Sequence, residues 1–229
     1  MISTMAEAGR VLGSDRYIDE AKKAADFLLL VHRTPEGTLL RTSRQGRAHL
    51  DGVLEDYAYL AEGLVDLYEA CGQERYLTTA LQLGERMVNS FQDKDQGGFY
   101  TTATTHETLI IRAREGADGA TPSGNAVAVS ALARLSFHYD RQDLREAAIG
   151  GIRAYGRQIA RYPRAFAKTL ASVDLLGEGP IELAFVGAPN DPGLEALQLA
   201  VREVFLPNRV IASSDGTGTT SNHPLLAGK

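Results

Sequence analysis

Apolar residues recur every three to four positions through most of this chain, interrupted by short polar stretches. Within 61–91, Ala61, Leu64, Val65, Leu67 and Tyr68 share one helical face, and Leu77, Ala80, Leu81 and Leu83 share another. That period marks amphipathic helices. Segments 6–29 and 128–159 follow the same plan of helix, short polar break and second helix. The breaks GSDRYIDEA, GQERYLTTA and DRQDLREAA align, so Tyr17, Tyr76 and Leu144 take one position, set to pack back onto the preceding helix. Gly13 and Gly72 suit the left-handed conformation that ends a helix. Asp15, Glu74 and Asp143 suit the positive end of the next one. The pattern predicts three stacked helical hairpins.

The links between hairpins, 33–52 and 94–124, are longer than loops usually run, which favours a functional role. Both carry strand-like pieces, at 38–41, 98–102 and 108–112, and both should emerge at one end of the stack, the natural place for a pocket. A further helix is expected at 165–176, ended by Gly177 and Gly179. The grammar then changes to a strand at 181–187, a helix at 192–205 with proline at its start, and a strand at 209–215. A parallel β-α-β unit with a right-handed crossover is the default. The expected division is a helical domain at 1–177, a β-α-β appendage at 178–215 and a tail at 216–229. Three and a half hairpins make about half of a six-hairpin ring. Half a ring exposes apolar faces that soluble proteins rarely tolerate, so the rest of a ring or a second copy of the chain is an expected partner. The opening MISTMAEAG starts in mid-pattern and favours a piece of a longer chain.

Composition adds exclusions. The chain is 44% hydrophobic and 23% charged, as globular proteins are. With 24 basic and 29 acidic residues its net charge is −5, which gives no general attraction to nucleic acid or to an anionic membrane surface. Cys71 is the single cysteine, so neither an internal disulfide nor a multi-cysteine zinc site can form. A small apolar role and a cytoplasmic location are expected. There is no signal-peptide pattern and no apolar run of membrane-spanning length. The histidines at 32, 49, 106, 138 and 223 lack metal-binding spacing, and neither a phosphate loop nor a serine-nucleophile elbow is present. No metal or cofactor is expected.

Two segments concentrate candidate chemistry. In HLDGVLEDYAYL, Asp51, Glu55 and Asp56 gather where a link enters a helix, and His49 stands before them. Paired carboxylates suit glycoside chemistry, one as acid and the other as base or nucleophile. Asp51 and Glu55 equally suit a helix cap and the first helical turn. Tyr57 and Tyr59 point to different faces, so only one is expected to line a pocket. In RAREGADGATPSGNAVA, small residues allow close backbone approach, Asp118 adds a third carboxylate, and Ser123 and Asn125 open the next helix. Arg112 and Arg114 suit a uronate or another anion. In GGFY, Phe99 or Tyr100 can offer a ring to a sugar face while the other ring turns inward. The chain has no tryptophan, which counts against a sugar platform.

LEDYAYLAEGLVDLYEACGQERYL, GGFY and DGATPSGNAVA resemble the C-terminal half of the spermatogenesis-associated, thioredoxin-domain-containing protein family. The resemblance implies a mainly α fold, a partial (α/α)6 toroid similar to N-acylglucosamine 2-epimerases and six-hairpin glycosidases. The thioredoxin-like part, the first half of the toroid and the cysteine-bearing end of that family are missing here, so no redox role is expected of this chain alone. The leading expectation is a carbohydrate-active protein binding a sugar-like small molecule, a glycoside hydrolase or a sugar epimerase. Asp56 or Asp118 would act as acid or base, assisted by Glu55 and His49. Asp51, Tyr57, Phe99, Tyr100, Arg112, Ser123 and Asn125 would hold the substrate. The alternatives are a non-catalytic module accompanying a thioredoxin-like domain and a protein-binding scaffold.

Overall fold

The computed structural model describes residues 1–107, 110–188, 190–215 and 223–226. Three helical hairpins run in order: α1 (Ile2–Leu12) with α2 (Asp15–Val31), α3 (Leu54–Cys71) with α4 (Glu74–Ser90), and α5 (Gly124–Tyr139) with α6 (Gln142–Ala154). A short helix α7 (Gly156–Arg161) and a 3₁₀ turn (Pro163–Phe166) lead into α8 (Ala167–Glu178). The breaks form as the sequence predicts. Gly13 and Gly72 take φ of 63° and 67°, and each closes its helix with a backbone hydrogen bond. In the third repeat Asp140 fills this place at φ 49°, a conformation Asp tolerates better than most residues. Tyr76 and Leu144 are buried, whereas Tyr17 stays partly exposed.

The layers follow from which faces are apolar. α1, α3, α5 and α8 pack side by side as an inner wall, while α2, α4 and α6 return on the outside. α3 and α5 have neighbours on nearly every side and are buried nearly all round; α2 buries only Ala21 and Ala25. This is a partial (α/α)6 toroid. The outer return of the first hairpin leaves Phe27 and Leu30 exposed.

Both links emerge at the N-terminal end of the inner helices. The first forms an antiparallel hairpin, β1 (Leu40–Arg44) with β2 (Arg47–Asp51), pairing Thr42 with His49 and Leu40 with Asp51. Asp51 therefore belongs to a strand and not to the start of α3. The expected strand at 98–102 reduces to one bridge between Gln92 and Phe99. That at 108–112 falls partly on Thr108 and Leu109, outside the described residues, and 110–112 form no strand. Gly97 holds φ 73°, and a Cβ there would lie 2.4 Å from the Gly150 carbonyl oxygen. The close turn aims Phe99 into the core, where Tyr57 and Phe91 also pack, their ring centroids 5.1 Å apart. The expected helix at 165–176 is α8. Beyond it, β3 (Ile181–Val186), α9 (Pro192–Arg202) and β4 (Arg209–Ser214) make the β-α-β unit, with the strands parallel as expected. A 3₁₀ turn, Pro224–Leu226, packs against β3, β4 and α5. The expected tail at 216–229 lies outside the described residues except at 223–226.

Candidate functional site

A cleft of about 690 Å³ opens at the N-terminal ends of α1 and α3, walled by His32, Leu40, Arg41, Glu55, Asp56 and Tyr59. His32 fixes the β1–β2 hairpin beside it. Its Nδ1 lies 2.8 Å from the Leu40 carbonyl and its Nε2 lies 2.9 Å from the Ser43 hydroxyl. Arg41 spans both carboxylates of the cleft, at 2.7 Å from Glu55 and 3.0 Å from Asp56. Asp56 also accepts from the Val53 amide at 2.8 Å, fastening the start of α3. Burial pushes the Asp56 carboxyl above the usual carboxylate range, against the pull of the Val53 amide and Arg41. Tyr59 is the tyrosine that reaches the cleft; its hydroxyl donates to the Pro122 carbonyl at 2.8 Å.

The other residues singled out in the sequence divide between rim and core. His49 and Asp51 are exposed on β2. Tyr57 is buried, and its hydroxyl accepts from the Leu39 amide at 2.8 Å. Phe99 is buried as well, so neither of these two rings faces the cleft. Asp118 accepts from two amides, Ser123 at 2.9 Å and Lys168 at 3.0 Å, and so ties the starts of α5 and α8 together. Ser123 caps α5 by accepting from Ala126 at 3.1 Å, and it donates to Gly116. Asn125 is buried and mimics a strand partner. It accepts from the Phe99 amide at 2.7 Å and donates to the carbonyls of Phe99 and Glu115. Arg112 lies over the Tyr100 ring at 4.1 Å and donates to the Thr102 carbonyl. Tyr100 donates to Asp93 at 2.8 Å, and Arg114 pairs with the same carboxylate. The expected anion-binding arginines are thus engaged with their own loop.

The inner faces carry a second, unforeseen group. α3 presents Glu62, Asp66 and Glu69, and α5 presents Ser130, Arg134 and His138 opposite them. The Ser130 hydroxyl donates to Glu62 at 2.8 Å, and Arg134 reaches Asp66 at 2.6 Å and Glu69 at 3.1 Å. His138 Nε2 lies 3.3 Å from Glu69. From α8, Lys168 reaches Glu62 at 2.5 Å; from α1, Ser3 donates to Asp66; from β4, Arg209 reaches Glu7 at 2.6 Å. A hollow of about 300 Å³ lies among these side chains, and it shares Ser3 and Glu62 with the cleft. Ser3 and Glu62 thus form a wall common to the cleft and the hollow.

Electrostatics differ along this ladder. Burial holds the Asp66 carboxyl above its usual range, with Arg134 pulling it down and Glu62 pushing it up. At Glu69 burial also pushes upward, but Arg134, the His138 hydrogen bond and Arg209 together outweigh it and bring the carboxyl to about 2. The helical spacing of 62, 66 and 69 opposite 130, 134 and 138 was the available signal. Each set reads as one stripe along its helix, and in α5 it cuts an otherwise apolar sequence.

No protein-family model matches the chain. In an alignment of 226 residues that covers 94% of the chain, it is 30% identical to spermatogenesis-associated protein 20 of Homo sapiens. It spans 29% of the length of that relative. Cellobiose 2-epimerase from Spirochaeta thermophila DSM 6192 superposes with a TM-score of 0.57 at 19% identity, over 70% of this chain and 42% of that one. Cellobiose 2-epimerase from Bacillus thermoamylovorans B4167 gives 0.59 at 13% identity, over 88% and 58%. At such identities the likeness is one of fold, and the fold is the helical toroid of those epimerases.

Proposed function

We propose that this chain, a homologue of the spermatogenesis-associated proteins over nearly its whole length, forms part of the wall of a toroid that binds a neutral, sugar-like small molecule at its hub. The observation that carries the reading is the charged inner face. An inner wall that served packing alone would be apolar, because burying charge is costly. Here Glu62, Ser130 and Lys168 meet at a hollow that shares Ser3 and Glu62 with the cleft.

A sugar 2-epimerase works at the carbon next to a carbonyl. That chemistry needs a base that takes the proton from one face, a proton delivered to the opposite face, and a cation or donor for the carbonyl oxygen. In this reading Glu62, held by the Ser130 hydroxyl, serves as the base and Lys168 as the donor, and water in the cleft returns a proton to the opposite face. Glu55, Asp56, Arg41 and Tyr59 guide the ligand at the mouth. An epimerase-like reading is preferred to a hydrolase because Asp56 and Asp118 already serve backbone amides at helix starts. A neutral ligand is preferred to an anion because each cation here is already engaged by a carboxylate: Lys168 faces Glu62, Arg134 faces Asp66 and Glu69, Arg209 faces Glu7, and Arg41 faces Glu55 and Asp56.

Calorimetric titration of the chain with glucose, mannose, cellobiose and their phosphorylated and uronic counterparts tests this. Binding of a neutral sugar that weakens at least tenfold in Glu62→Gln is expected. Failure of every neutral sugar to bind would overturn the reading. One observation favours a second reading, a non-catalytic module within a longer chain: the match covers 29% of the relative's length. That reading predicts an inert chain that associates with a separately expressed remainder.

A further inference from the structure

Among the described residues, β3 and β4 make a parallel sheet of two strands. Parallel strands normally lie inside larger sheets covered on both faces. β4 is covered: Val210, Ile211 and Ala212 are buried, and the strand packs against α3 and α5. β3 is the free edge. The amides of Ile181 and Gly187 donate to the carbonyls of Asn208 and Ser214, at 2.9 Å and 3.1 Å. Along a strand the backbone groups of alternate residues point to opposite sides, so those of Glu182, Ala184 and Val186 point away from β4. No described residue bonds their amides, and all three residues are exposed.

α9 is incomplete on the same side. It buries none of its residues. Leu194 lies against Gly187 at the end of β3, and Gln198, Val201 and Arg202 share a pocket with Ile211 of β4 and Arg10 of α1. About a third of a turn round the helix, Leu197 and Ala200 form an exposed stripe that Val204 extends past the helix end. Leu197 is 62% exposed and Val204 55%. Apolar residues at this spacing make a helix-packing face. On the opposite flank Arg202 stands beside Gly13 at the end of α1, so the stripe looks out over the free edge of β3.

We infer that the free edge of β3 pairs antiparallel with β3 of a second copy of this chain, about a two-fold axis at Ala184, so that two sheets become one of four strands. This register engages every outward group. Ala184 exchanges hydrogen bonds with its own counterpart, and Glu182 with Val186 of the partner subunit. Charge favours the same register. Glu182 is the only charged residue of β3 and lies opposite a valine, whereas an axis at Glu182 would set two carboxylates face to face. On the alternate face, Leu183 meets Phe185 of the partner subunit. Spacing agrees as well. Adjacent strands lie about 4.8 Å apart, so a helix laid across β3 and β4 stands about 5 Å from the axis, and the two copies of α9 lie about 10 Å apart, as packed helices do. Their stripes of Leu197 and Val204 then meet. One two-fold covers the open edge and the apolar stripe together, and such a contact closes at two copies.

Sedimentation equilibrium of the full chain tests the pairing, and a monomer–dimer equilibrium is expected. Ala184→Pro removes an outward amide and no bond to β4, and proline is tolerated at such an edge position. It should give a monomer with unchanged far-ultraviolet circular dichroism. Leu197→Glu, at an exposed position, should weaken the dimer at least tenfold by setting carboxylates along the seam. Amide exchange at Glu182 and Val186 should be slow in the dimer and fast in either variant, with α3 and α5 amides unchanged. A chain that stays monomeric at concentrations on the order of 100 μM, an assembly that grows beyond two copies, or a dimer that both substitutions leave intact would overturn the inference.

Discussion

At the rim, acidic side chains serve the backbone: Asp56 accepts from the Val53 amide, and Asp118 accepts from the amides of Ser123 and Lys168. Along the hub they serve other side chains: Glu62, Asp66 and Glu69 face Ser130, Arg134, Lys168 and His138. The difference separates position from chemistry. A carboxylate at a helix start meets unpaired amides and is drawn into capping. One in mid-helix meets amides already bonded within the helix, so it must find a side chain, a water or a ligand.

The largest effect should come from the hub. Glu69→Ala leaves Arg134 and Arg209 short of a buried partner and is expected to cost about 3–5 kcal/mol in urea unfolding. A loss under 1 kcal/mol would mean that the ladder is not a structural unit. At the rim, Asn125→Ala removes two buried hydrogen bonds and one half-buried one and should cost about 2–3 kcal/mol. Asp118→Ala, with two amides unpaired, should cost about 1–2 kcal/mol while leaving sugar affinity unchanged. A tenfold loss of affinity there would move the chemistry back to the rim. Smallest is Glu55→Gln at the half-exposed Arg41 pair, where thermal unfolding should register less than about 1 kcal/mol.

Acid stability sharpens the contrast. The Glu69 carboxyl lies at about 2 in the fold, below its ordinary 4.5. Its contribution is present above pH 4.5 and is lost as pH falls toward 2. Glu69→Gln should flatten that limb of the stability profile.

What the sequence revealed follows the same division. Gly13, Gly72 and the acidic residues after them announced the hairpins, because local backbone geometry demands those residues there. Ser123 was legible as a cap for the same reason. β2 was missed because 47–51 carries little apolar alternation: Arg47, His49, Leu50 and Asp51 are all exposed. The hub was missed because Glu62, Asp66 and Glu69 read equally well as the solvated face of an amphipathic helix. Only the facing stripe on α5 distinguishes an interior polar seam from a wet surface, and which helices face one another is tertiary information.

The most direct test is a backbone and methyl NMR titration with cellobiose, which maps where a ligand sits. Shifts should cluster around Glu62, Ser130, Arg134 and Lys168, with weaker ones at Tyr59 and Arg41. Shifts centred instead on Asp118, Ser123 and Asn125, or no saturable shifts with any neutral sugar, would contradict it.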